Sequence, residues 1–239
     1  RKILDQLNVA AGNSPETEVQ LAGGMEILSR GSGEGAAQCT HLEGARANAA
    51  QFWGLGADHV YLFNYADLPG GFREEDYTGG RPSCAGGNYR ELLSSIGSPE
   101  TCLGVRRDHM LTYQDVGLPW QTLDRPLPSE LELEARPGEY SRRKFFRLPT
   151  GKIPEGSRVT LLLGISGGTE DNLEAYVNSC PCGYEGRGQI AQPYTSSPVY
   201  AFSVSRPEGG YPLAQIIELG AKGCSVTVDY LEIRVEPEE

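Results

Sequence analysis

Thr40-His41-Leu42-Glu43-Gly44-Ala45-Arg46-Ala47-Asn48-Ala49-Ala50-Gln51-Phe52-Trp53-Gly54-Leu55-Gly56-Ala57-Asp58-His59-Val60-Tyr61-Leu62-Phe63-Asn64-Tyr65 reads as a helix, a tight turn and a strand in immediate succession. Thr40 with Glu43 three residues later has the pattern of a capping box, in which each side chain satisfies a free backbone N–H. Leu42, Ala45, Ala49, Phe52 and Trp53 recur at helical spacing on one face. Gly54 and Gly56 suit a left-handed helix end. Val60 to Phe63 is an unbroken apolar run, as expected of a strand covered on both faces in a parallel sheet. Polar Asn64 and Tyr65 fall where that strand should end.

Around this unit the order of elements alternates. Residues 19–27 read as a strand interrupted by Gly23-Gly24, residues 89–96 as a helix, and Ser98-Pro99-Glu100 as the capped start of another. Strand–helix–strand order favours a parallel sheet. Arg125-Pro126-Leu127-Pro128 has the restricted backbone of a linker, so a boundary is expected near residue 125. Downstream the period changes to two, with strands expected over 143–148, 158–165, 173–178, 199–205, 213–219 and 224–235. In the last of these Val226, Val228 and Tyr230 share one parity while Leu231, Ile233 and Val235 share the other. Such a phase slip predicts a bulge near Tyr230. Turn-rich gaps between these strands indicate an antiparallel β-sandwich.

The chain has 239 residues and a formal net charge of −11, which argues against nucleic-acid binding because that needs a basic footprint. No apolar run approaches the roughly 18 residues of a spanning helix, so no membrane insertion is expected. With 31 Gly and 16 Pro, the composition suits a loop-rich and strand-rich fold better than a helix bundle. Six cysteines permit disulfides without demanding them, and Cys84 with Cys102 is one candidate bridge. Cys180-Pro181-Cys182 has no histidine near it, so neither a metal site nor a cofactor is implied. Tyr184, Tyr194 and Tyr211 lie in turn-rich gaps, where aromatics either stack on sugar rings or simply pack.

The segment Ala45-Arg46-Ala47-Asn48-Ala49-Ala50, followed by Gly56-Ala57-Asp58-His59-Val60-Tyr61-Leu62-Phe63-Asn64-Tyr65, resembles the last helix–strand unit of the glycoside-hydrolase-like TIM-barrel proteins, which are related to family 10-type glycosidases. Residues 89–101 resemble the segment that closes those barrels, and the terminal strands are similar to an accessory domain that often follows. The resemblance implies an α/β plus all-β chain. Residues 1–125 would be the C-terminal part of a (β/α)8 TIM barrel, and residues 126–239 an antiparallel jelly-roll-like β-sandwich. A complete barrel needs about 250 residues, so the chain is expected to be the C-terminal part of a longer polypeptide. The missing N-terminal barrel portion would then be its partner, in cis or as a second chain.

Glycoside hydrolysis commonly uses two carboxyl groups across the scissile bond. The resemblance puts Glu26, near the end of the seventh strand, in the nucleophile position, with the partner acid on a strand this chain lacks. The plainer reading makes Glu26 an ordinary strand-end carboxylate in a salt bridge. Asn64 and Tyr65 at the end of the eighth strand, and Asp67 just beyond, are the candidate substrate-binding residues. Arg46 is expected to pair with a carboxylate in a structural role. The functional expectation is a secreted or surface protein acting on or binding a polysaccharide, with O-glycosyl hydrolysis undecided. The alternative is a non-catalytic extracellular structural or interaction protein.

Overall fold

The computed structural model describes residues 20–26, 28–29, 38–63, 89–111, 131–191 and 194–238. Strand β1 (Ala22–Glu26) is followed by the short antiparallel pair β2 (Leu28–Ser29) and β3 (Gln38–Cys39). Next come helix α1 (Leu42–Gly54) and strand β4 (His59–Phe63), which pairs in parallel with β1. The helix forms where the alanine stripe placed it, and Leu42, Ala45, Ala49 and Ala50 are buried with Phe52 and Trp53 packed beside them. It starts one residue later than expected. His41 is the N-cap and makes no side-chain cap bond, so Glu43 falls one position short of the place a capping box needs. Gly56 takes the left-handed conformation (φ +89°) that closes the turn. Val60 and Leu62 of β4 pack inward while Tyr61 is exposed, so this strand is covered on one face rather than two.

Helices α2 (Tyr89–Ile96) and α3 (Pro99–Leu103) pack against α1, and Ser98 caps α3 in a reciprocal box with Thr101. Arg46 holds α1 to α2: its Nε donates to Ser95 Oγ at 3.0 Å and its Nη2 to Glu91 Oε1 at 2.6 Å. The Trp53 indole N–H donates to the Ile96 carbonyl at 3.2 Å. Both side chains do structural work, as the residue pattern suggested.

Strands β5 (Arg107–Met110), β6 (Leu131–Leu133), β7 (Lys144–Pro149), β8 (Arg158–Ser166), β9 (Leu173–Val177), β10 (Cys180–Pro181), β11 (Gly183–Arg187), β12 (Val199–Ser203), β13 (Ala214–Ala221) and β14 (Val226–Glu236) complete the fold. They form two antiparallel sheets. One runs β10-β9-β13-β7; the other runs β11-β12-β8-β14-β5, with β6 on β14 beside it. Between the sheets lies a single apolar core, to which Val177, Ile217 and Leu219 contribute from one side and Leu161, Leu163 and Ile233 from the other. Each fully buried Leu or Ile there stabilises by roughly 1.5–3 kcal/mol.

β14 carries the expected irregularity. Its register against β8 shifts between Val228 and Tyr230. The bulge lets Val226 and Val228, and then Leu231, Ile233 and Val235, all face the core. Tyr230, Glu232 and Arg234 are thereby turned to the opposite side of the sheet, where α1 lies. β8 is buried along both faces for the same reason: its odd-numbered leucines meet the other sheet, while Leu162 packs with Tyr194 and Tyr230.

This architecture corrects the fold expected from the resemblance. Among the described residues strand takes 43% and helix 18%, with three α-helices, so the chain is an antiparallel β-rich fold and not a portion of a (β/α)8 TIM barrel. In a barrel every strand has parallel neighbours on both sides. Here β1 and β4 are the one parallel pair among the described residues, and the remaining strands all pair antiparallel. A helix–turn–strand signal reports one local crossover and says nothing of what lies beyond it. β5 also lies upstream of the proline-rich segment yet is hydrogen-bonded to β14 in the six-stranded sheet. No helix among the described residues is long and apolar enough to cross a membrane.

Candidate functional site

Glu26 is the last residue of β1, in register with Phe63 of β4, and its side chain lies outside what is described. Asn64, Tyr65 and Asp67 lie outside the described residues, as does Cys84. Cys102 carries a free, fully buried thiol, which burial pushes up to about 11. Tyr194 is buried, Tyr211 donates its hydroxyl to the Val204 carbonyl at 3.0 Å, and Tyr184 stays half exposed against Phe202.

The structure brings together a different set of ionisable residues. On β5 and β14 the register places Asp108 opposite Arg234 and Met110 opposite Glu232. Side chains alternate along strands, so Arg106 and Asp108 share a face with Glu232 and Arg234. Asp108 and Glu232 both have fully buried side chains. Arg234 touches both of them, with Nε 3.3 Å from Asp108 Oδ1 and Nη2 2.8 Å from Glu232 Oε1. Arg106 donates to Asp108 through Nε (3.0 Å) and Nη2 (2.8 Å), the two-pronged geometry a guanidinium favours.

His41, the residue that begins α1, closes the cluster. Its Nε2 donates to Asp108 Oδ2 at 3.2 Å, and its Nδ1 lies 3.1 Å from the Tyr194 hydroxyl. The Tyr194 ring stacks on Tyr230 at 6.1 Å between centroids, and the Tyr230 hydroxyl donates a hydrogen bond to Glu232 Oε2. Burial works to raise the Asp108 carboxyl, but hydrogen bonds from His41 and Arg106 and the charge of Arg234 outweigh it and hold Asp108 below the usual carboxylate range. Burial, then the neighbouring Asp108 charge, push Glu232 up to about 7.

Two carboxyl groups with separated affinities for a proton are what acid–base chemistry requires. A substrate must also reach them. His41, Asp108, Tyr194, Tyr230 and Glu232 are all buried, so the cluster is a sealed joint between α1 and the six-stranded sheet. The cluster thus lends no support to hydrolysis.

A second constellation faces outward on the four-stranded sheet. Ile217 and Leu219 point into the core, so their neighbour Glu218 points away from it. Glu218 pairs with Tyr176 on β9 and with Phe145 on β7, which aligns Tyr176, Glu218 and Phe145 in one row across three strands. At the usual strand spacing that row is about 10 Å long. Phe145 is 63% exposed, and Ile216 beside the row is 38% exposed. The Arg143 guanidinium lies 3.9 Å over the Tyr176 ring, donates to Glu218 Oε2 at 3.4 Å and stands 3.9 Å from Glu174. The Ser179 hydroxyl donates to Glu218 Oε1 at 3.2 Å. The face thus offers an open aromatic ring beside an ordered set of donors and acceptors.

No protein-family model matches the chain, and no curated protein matches its sequence. Nothing in these comparisons identifies a glycoside hydrolase family. Sequence reasoning missed both constellations. Arg107-Asp108-His109-Met110 carries no apolar alternation to mark it as a buried strand, because Asp108 is buried through ion pairs and Arg107 through bonds to the Thr150 and Lys152 carbonyls. Phe145 sits next to Phe146, and the sequence leaves open which of the two faces out.

Proposed function

We propose that this chain is a non-catalytic binding module and that the outward face of the four-stranded sheet takes a carbohydrate. The observation that carries the reading is the row Tyr176–Glu218–Phe145, with Arg143, Glu174 and Ser179 around it. A sugar ring has an apolar face of C–H groups and a rim of hydroxyls. Phe145 supplies a rigid apolar surface for the first. Glu174, Arg143 and Ser179 supply acceptors and donors for the second, and the buried Glu218 holds Arg143 and Ser179 in place before a ligand arrives. Binding outside the cell, at a polysaccharide surface, belongs to the same proposal.

The test is affinity electrophoresis of the protein through gels containing a panel of soluble polysaccharides. The wild type should be retarded by at least one of them, and Phe145→Ala should lose at least tenfold in affinity while Phe145→Trp keeps it. Because Phe145 is exposed, its truncation should change stability by no more than about 0.5 kcal/mol. A wild type retarded by none of the panel, or an unaffected Phe145→Ala, overturns the reading.

A further inference from the structure

We propose that the buried cluster of His41, Asp108, Glu232 and Arg234 is a proton-sensitive latch that fixes the start of α1 to the six-stranded sheet. The latch is independent of carbohydrate binding, which involves the other sheet. Three observations place it at an interface between separately built parts. His41 begins α1 and reaches Asp108 on β5 and Tyr194 in the segment before β12. Gly44, one turn further on, passes so close that an added Cβ would sit 3.1 Å from Met110 Cε, so helix and strand are in direct contact. Glu232 is paired in register with that same Met110, has no exposed side-chain surface, and is acted on by the charge of His41 at the start of α1.

The groups that face Glu232 are defined on every side. From β5 come Asp108 and Arg106; from the start of α1, His41, with Glu43 acting on Arg106; from its own strand, Tyr230 and Arg234. Tyr194 stacks on Tyr230 from the segment above, and Arg234 is held by the Gln189 carbonyl at 2.9 Å. β8 contributes Leu162 opposite Glu232, with Thr160 and Gly164 on either side in that row. A neutral Glu232 fits this site, because Asp108 already uses Arg106, His41 and part of Arg234. An ionised Glu232 adds a second negative charge to a dry site where Arg234 must serve both carboxylates. Lifting α1 admits water and relieves that conflict.

The sign follows from linkage. Glu232 in the closed latch holds its proton up to about pH 7, and in an opened, hydrated latch only to about the ordinary value of 4.5. Closure is fully favoured below the lower value and weakens as pH rises, until it levels off above the higher one. His109 lies on the opposite face of β5, and its value of about 3 falls below the pH range that the latch spans.

Hydrogen exchange of the whole chain, followed by mass spectrometry from pH 4.5 to 9 and corrected for intrinsic rates, reads this directly. Opening of the α1 amides should rise by about tenfold per pH unit up to about pH 7 and then plateau, while β8 and β13 do not follow. Glu232→Gln should remove the rise. An α1 profile that is flat in the wild type, or a rise that survives in Glu232→Gln and disappears in His41→Gln, overturns the proposal. Should Glu232→Gln fail to fold, Tyr230→Phe decides instead. It removes a hydrogen bond that favours ionised Glu232, so the plateau should move to higher pH, and an unmoved plateau refutes the latch.

Discussion

Replacing Arg234 by Met removes a cation that touches both buried carboxylates while keeping most of the side-chain volume. The lost contacts are Nε to Asp108 at 3.3 Å, Nε and Nη2 to Glu232 Oε1 at 3.0 and 2.8 Å, and Nη2 to the Gln189 carbonyl at 2.9 Å. At about 3 Å and an effective dielectric of about 20, each charge contact is worth roughly 5 kcal/mol before desolvation is subtracted. Breaking a buried pair by removing one partner costs about 3–5 kcal/mol in practice. Asp108 keeps Arg106 and His41, which lowers its share. Glu232 can escape by taking up a proton, because burial already holds it at about 7. At pH 5.5 it is neutral in both proteins, and the loss should be about 2 kcal/mol. At pH 8.5 the proton must be taken up against about 1.5 pH units, which adds roughly 2 kcal/mol. Urea unfolding at the two pH values measures both figures. Equal losses at pH 5.5 and 8.5, or a loss below about 1 kcal/mol at pH 8.5, would refute the reasoning.

Two further predictions test how the parts are joined and what burial costs. Gly151 follows β7 with φ +65°, and a Cβ there would lie 2.3 Å from the Ala50 carbonyl oxygen of α1. Gly151→Ala should cost about 3 kcal/mol from strain and collision together, whereas Gly209→Ala (φ +86°, with open space around it) should cost only about 1 kcal/mol. Chemical denaturation of the two variants compares them, and equal losses would contradict the close approach of α1 to this turn. Burial, and then the charge of Arg107, hold His109 down to about 3. Its share of stability is therefore present above pH 6.5 and lost as pH falls from 6.5 toward 3. His109→Leu removes a ring nitrogen that has no hydrogen-bond partner, so it should cost little at pH 7 and flatten the acid limb by a few kcal/mol. The opposing slope from Glu232 is common to both proteins and drops out of the difference; an unchanged acid limb in His109→Leu would count against the assignment.

Where apolar side chains carry the pattern, the sequence was a good guide. The alanine stripe of α1, the alternation of Tyr200, Phe202 and Val204 and the parity change in β14 all follow from the need to bury one face, and each is present. Where burial is achieved by charge, the sequence was silent. β5 is a strand of Arg, Asp, His and Met, and Glu232 and Arg234 look like solvent-side residues of β14 until the opposite strand and α1 are in place. The barrel expectation failed for a third reason. β1, α1 and β4 do make one parallel crossover, but the class of a sheet is set by pairings far apart in sequence, and here those are antiparallel. Of the candidate site, the sequence offered only Tyr184, Tyr194 and Tyr211, as aromatics that either stack on sugar rings or pack. It did not single out Phe145, because outward orientation depends on register with Glu218.

The most direct test of the binding reading is a nuclear magnetic resonance titration of the labelled chain with the polysaccharide that retards it most strongly. The account predicts saturable shifts centred on Phe145, Glu218 and Tyr176 and fading along β7, β13 and β9, with the six-stranded sheet unaffected. Shifts confined to another surface, such as the Tyr184 and Arg187 edge of β11, or no shifts at saturating ligand, would contradict it.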